Sequence, residues 1–67
     1  MKHILIILAL ILGNYQGYLA LMENGRPVEV YQRQVQMLPA ADQQDLAAGI
    51  EITGPSQLEN LLQDYLS

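Results

Sequence analysis

Cysteine is absent from this chain, as are phenylalanine and tryptophan, and only three residues are basic. Without cysteine there is no disulfide and no thiolate zinc site. That absence does not assign a redox compartment, since a thiol-free chain survives on either side of a membrane. The one histidine, His3, stands beside Lys2 at the start of the chain and reads as a tail or leader residue. Lys2, Arg26 and Arg33 do not make the basic face that counterion release from nucleic acid requires. There is no phosphate loop, no nucleophile with an adjacent base and no cofactor fingerprint. The expectation is a protein that is not an enzyme, takes no cofactor and binds no nucleic acid.

What is present is short, apolar and acidic. A chain of 67 residues is one domain at most, and such a domain buries only about 60% of its unfolded surface. Small domains usually add disulfides or a metal; here stability has to come from packing, a partner or a membrane. The charge is lopsided. Residues 1–34 carry Lys2, Arg26 and Arg33 against Glu23 and Glu29, a balance of +1. Residues 35–67 carry Asp42, Asp45, Glu51, Glu59 and Asp64 with no basic residue, a balance of −5. An anionic lipid surface would repel that half. Asp42 and Asp45 are three apart, but a cation site needs more oxygen ligands than two carboxylates supply. Compensation of a helix N-terminus is the expected role, and no metal site is expected.

Ile4 to Leu12 is an unbroken apolar run. As a helix it would rise only about 14 Å, short of a ~30 Å hydrocarbon core. As a signal peptide its charged start and apolar length fit, although Ile11 would occupy a position where a small residue is expected. As a strand, Ile4-Leu5-Ile6-Ile7 has high β propensity. These readings stay open for residues 1–9, an apolar segment that is a signal, an anchor or a strand extension, with membrane association through Ile4–Leu12. Residues 10–67 form the single domain.

Two turn signals organise the first half of that domain. Asn24-Gly25 predicts a type I′ hairpin, since both central residues of that turn need positive φ. A two-residue loop there sets Glu23 opposite Arg26, Leu21 opposite Val28, Leu19 opposite Val30 and Tyr18 opposite Tyr31. Leu19, Leu21, Val28 and Val30 then share one face, the expected core face. Gln16-Gly17 predicts a similar turn one strand earlier, with Tyr15 opposite Tyr18, Asn14 opposite Leu19, Leu12 opposite Leu21 and Gly13 opposite Ala20. Pro27 suits an edge strand.

The rest reads as helix. Pro39 at a first helical position, acidic Asp42 and Asp45, and Gly49 as a C-terminal cap bound a first helix. Ile50-Glu51-Ile52 reads as an extended link with two apolar anchors. Gly54 capping with Pro55 at the first helical position opens a second helix, with a capping box of Ser56 and Glu59 as the rival. Leu58, Leu61, Leu62, Tyr65 and Leu66 form one apolar stripe at helical period. The expected fold is α+β, a three-stranded antiparallel meander packed against two C-terminal helices.

With no Phe or Trp, the four tyrosines are the only aromatic residues. Tyr15, Tyr18 and Tyr31 fall on the sheet, with Tyr18 and Tyr31 paired on its outer face. They are cross-strand structural pairs or a partner surface, since tyrosine is enriched at interfaces.

From about Gly13 to Tyr65 the chain resembles the C-terminal domain of the bypass-of-forespore C (BofC) family. The residues that carry the likeness are Gln16-Gly17, Leu19-Ala20-Leu21, Asn24-Gly25, Val28-Glu29-Val30, Leu38-Pro39 with Asp42, Gly49-Ile50, Leu58 with Leu61-Leu62, and Asp64-Tyr65. The resemblance implies a small α+β domain, secreted or tethered at the envelope of spore-forming bacteria. A member of that family restrains a signalling protease during spore formation. The expectation is therefore a non-enzymatic protein-interaction module at the cell envelope, or secreted, with a protein partner. Two other readings stand beside it: a small membrane-anchored protein acting through its apolar N-terminus, and a cytoplasmic domain that forms a homo-oligomer through its first strand.

Overall fold

A computed structural model describes residues 9–67. His3 and the stretch 1–8, including most of the apolar run, lie outside the described residues. Ala9 is exposed and outside regular structure. The elements are β1 (Leu10–Tyr15), β2 (Tyr18–Glu23), β3 (Arg26–Gln34), a 3₁₀ turn (Val35–Met37), α1 (Ala40–Ala48), β4 (Ile50–Ile52) and α2 (Pro55–Leu66). The class is α+β, but the sheet has four antiparallel strands rather than three, in the order β3-β2-β1-β4.

The extra strand is Ile50–Ile52, which reads as a link in the sequence alone. It pairs with β1, Ile50 opposite Leu12 and Ile52 opposite Leu10. The Ile-Glu-Ile alternation places both isoleucines beside apolar neighbours on the core side, with Glu51 exposed. Gly49 makes this possible. Its φ of +90° turns the chain from α1 into β4, and a Cβ there would stand 2.8 Å from Ile11 Cγ2. One consequence is that β1 is an interior strand. Along Leu10–Leu12 both of its edges are taken.

The first hairpin has the expected register throughout. Both turn residues have positive φ, +53° at Gln16 and +92° at Gly17. Glutamine is poorly suited to that conformation, and Asn14 supports the turn by accepting the Gly17 N–H on its Oδ1 at 2.8 Å. The second turn is also as expected, with φ +53° at Asn24 and +78° at Gly25, and Glu23 opposite Arg26.

The expected register of the second hairpin holds through Met22 opposite Pro27 and then fails. Glu29 lies opposite Leu21, Val30 opposite Ala20 and Gln34 opposite Tyr18, with irregularities at two places along β3. Val28 is a bulge residue, without a partner on β2. Val28 and Val30 are therefore 55% and 47% exposed and do not belong to the core. What the shifted register provides is on the other face. Tyr31 packs against the core, and Arg33 reaches the end of α2, its Nη2 donating to the Leu66 carbonyl at 3.0 Å. A large ring over the core and a cation at a helix C-terminus outweigh two valines.

The core is Leu12, Leu19, Val35, Leu46 and Tyr65, flanked by Ile50, Ile52, Leu58, Leu61 and Leu62. α1 begins one residue later than expected, with Pro39 as its N-cap. It holds on by Leu46 and approaches β1 closely: a Cβ on Gly13 would meet the Leu46 carbonyl oxygen at 3.3 Å. α2 opens with Gly54 as N-cap and Pro55 in its first turn. The Ser56–Glu59 capping box is not used. Gln57 takes that role, its Oε1 accepting the Thr53 N–H at 2.6 Å and the Thr53 hydroxyl at 3.0 Å, while its Nε2 donates to the Glu51 carbonyl at 3.1 Å.

Candidate interaction surface

Strand alternation builds the candidate surface. Leu12 and Leu19 point to the helices, so the residues between them in register point the other way. That outer face carries Ile11, Gly13 and Tyr15 from β1, Tyr18, Ala20 and Met22 from β2, and Val30 from β3. Gly13 and Ala20 are buried, and α1 closes on the face at Gly13, where a Cβ would meet the Leu46 carbonyl oxygen; Ile11, Tyr15 and Met22 are half-buried, and Tyr18 and Val30 are exposed.

Two of the three sheet tyrosines come together. Tyr15 lies directly opposite Tyr18 across the first hairpin, close enough for ring-on-ring contact. Their hydroxyls accept weak hydrogen bonds at the surface, Tyr15 from Gln16 Nε2 at 3.4 Å and Tyr18 from Gln34 Nε2 at 3.5 Å. Tyr31 is not part of this pair. The bulged register turns it to the core side, where its hydroxyl donates to Glu29 Oε1 at 3.3 Å. Burial, and then the Glu29 charge, raise its pKa above the ordinary value of 10.0.

The place expected for Tyr31, opposite Tyr18, is taken by Gln34, while Val30 stands opposite Ala20 with Val28 beside it on the bulge. Period-2 patterning could not have found these two, since it assigns them inward. Local pattern does not tell inward from outward here.

Titratable chemistry is sparse. Among the described residues no three His, Cys, Asp or Glu side chains are grouped to hold a metal ion. Asp42 lies in the first turn of α1, as expected for helix-end compensation. Burial first, and then the charges of Asp42, Asp45 and Asp64, raise the Tyr65 pKa above its ordinary value. What the outer face can do is make apolar and aromatic contact with a flat partner, with two hydroxyls for orientation. Among the described residues no helix is long and apolar enough to cross a membrane.

No protein-family model matches this chain, and neither the curated proteins nor the solved structures contain a match to it.

Proposed function

We propose that this chain is a non-enzymatic protein-interaction module of the bacterial envelope, engaging a protein partner through the outer face of its sheet. The observation that carries the reading is the exposure of Tyr18 on β2 and of Val28 and Val30 on the neighbouring β3, with Val30 opposite Ala20 and Tyr18 opposite Gln34. Isolated exposed apolar residues are ordinary. Three large exposed apolar residues on two adjacent strands are the kind of surface that partners cover. The sequence resemblance to the BofC C-terminal domain supports an envelope setting and a regulatory, binding role. The apolar run Ile4–Leu12, preceded by Lys2, supports a start on the cytoplasmic side with the domain beyond it.

Site-specific photo-crosslinking in the producing cell tests the binding surface. A photoreactive residue at Val30 should give one discrete adduct with another protein, and Tyr18→Ser should abolish that adduct while the domain stays folded, its melting temperature falling by only a few degrees as the pairing with Tyr15 is lost. Adducts spread over many proteins, or insensitive to Tyr18, would refute the surface. A reporter fused after Ser67 tests location: activity of a reporter that works only in the cytoplasm would refute the envelope setting.

A further inference from the structure

The end of β3 carries an arginine that the fold holds but does not satisfy. Arg33 Nη2 donates to the carbonyls of Leu66 at 3.0 Å and Ser67 at 3.4 Å. Its Nε is buried without a partner. Its Nη1 is neither buried nor hydrogen-bonded among the described residues. The chain has seven Asp and Glu against three Lys and Arg, yet no described carboxylate accepts a hydrogen bond from Arg33. A guanidinium is a planar donor fork suited to carboxylates. Here two carbonyls fix its position without neutralising its charge.

A cleft opens at the same end of β3, lined by Tyr18, Gln32, Arg33, Gln34 and Met37. Arg33 is the one charged residue among them. Met37 is the most exposed large apolar side chain among the described residues, at 71%, and Tyr18 belongs to the outer sheet face. Tyrosine, methionine and arginine are the residue types that interfaces collect. We propose, resting on the sheet-face reading, that the partner places one carboxylate in this cleft: an aspartate or glutamate meeting Arg33, next to an apolar residue seated on Tyr18 and Met37. Charge complementarity carries the choice, since an unpaired cation held in place favours an anionic group and rejects a cationic one. One carboxylate fits better than an acidic run, because a chain of net charge −4 repels further negative charge. A second copy of this chain brings its own −4 and is a poor occupant for the same reason.

Fluorescence anisotropy on the full chain tests this with three labelled peptides of otherwise uncharged sequence. One has a single Leu beside a single Asp, one has Asn for the Asp, and one has Ala for the Leu. The first should bind saturably and at least about fivefold tighter than either of the others. Arg33→Gln should abolish the preference for Asp over Asn, whereas Arg26→Gln, at the other described cation, should preserve it. Met37→Glu, at an exposed position, should weaken the Leu-Asp peptide several-fold with an unchanged melting temperature, and it decides the matter even where Arg33→Gln loosens the end of α2. Equal binding of the Asn peptide, absence of saturable binding, or a preference lost equally in Arg26→Gln would overturn the proposal. So would a dimer in sedimentation that Arg33→Gln dissociates, which would assign the cleft to a second copy. In the producing cell, a Val30 adduct that survives both Arg33→Gln and Met37→Glu would overturn it and spare the sheet-face reading, while absence of any Val30 adduct would remove that reading and the proposal together.

Discussion

Gly49 offers a sharp test of how β4 joins the sheet. Two costs fall on Gly49→Ala. The backbone there sits at φ +90°, and a side chain held in left-handed conformation costs roughly 1–2 kcal/mol. The new methyl would also stand 2.8 Å from Ile11 Cγ2, and overpacking of this kind costs typically ~1–3 kcal/mol. Gly25→Ala isolates the first cost, since its φ is +78° and nothing lies within 4 Å of the added Cβ. Lower entropy of the unfolded chain offsets either substitution by at most ~1 kcal/mol.

Gly25→Ala should therefore cost about 1 kcal/mol and Gly49→Ala about 2–4, in a domain whose single core supplies ~3–5 kcal/mol in all. Chemical and thermal unfolding followed by circular dichroism would measure both, at about 4–8 °C per kcal/mol for a domain of this size. The decisive assay is a double-mutant cycle with Ile11→Ala, which removes the obstructing methyl. Gly49→Ala should cost at least ~1 kcal/mol less in the Ile11→Ala background. Additive effects would refute the contact, and with it the docking of the α1–β4 turn against β1.

Three further outcomes are expected. Leu19→Ala, at a fully buried position, should cost ~2–5 kcal/mol, whereas Val30→Ala should stay within about 0.5 kcal/mol; comparable losses in urea melts would restore the unbulged register. Gln57→Ala removes the acceptor of the Thr53 N–H and should cost roughly 1 kcal/mol, with faster hydrogen exchange at the Thr53 amide as its local signature. Stability should fall above about pH 10. The Tyr65 hydroxyl titrates above its ordinary 10.0 in the folded state, so between the two values the unfolded chain has lost a proton that the fold retains, and stability present below that range is lost through it. Tyr65→Phe should flatten the decline, and an unchanged slope would count against burial of that hydroxyl.

What could be read from the residues alone was local. The Tyr15–Tyr18 hairpin, the positive φ at Asn24-Gly25, the cap at Gly49 and the start of α2 at Gly54-Pro55 each depend on a few adjacent residues, and each is where expected. What escaped depends on residues far apart. Ile50–Ile52 is too short to declare itself a strand, and becomes one only because β1 has a free edge beside it. The bulges of β3 follow from Tyr31 reaching the core and Arg33 reaching α2, contacts that no period-2 pattern contains. The outer surface was half legible for the same reason: Tyr15 and Tyr18 meet across a tight turn, while Tyr31 and Val30 exchange faces through a bulge set by the tertiary fold.

The edges of this sheet bear on how the protein meets others. β3 is one edge, and its strand is interrupted by two irregularities, carries Pro27, and exposes Arg26 and Glu29. β4 is the other edge and is only three residues long. Both are features that discourage a further strand from adding to a sheet. β1 is enclosed between β2 and β4 along Leu10–Leu12. Strand addition is thus disfavoured at each described edge, while apolar side chains remain accessible on the outer sheet face and along α2. Association by faces rather than by edges follows from that distribution. It is also why changes at Tyr18 and Val30 should alter binding with little effect on folding, whereas changes at Leu12 or Leu19 should do the reverse.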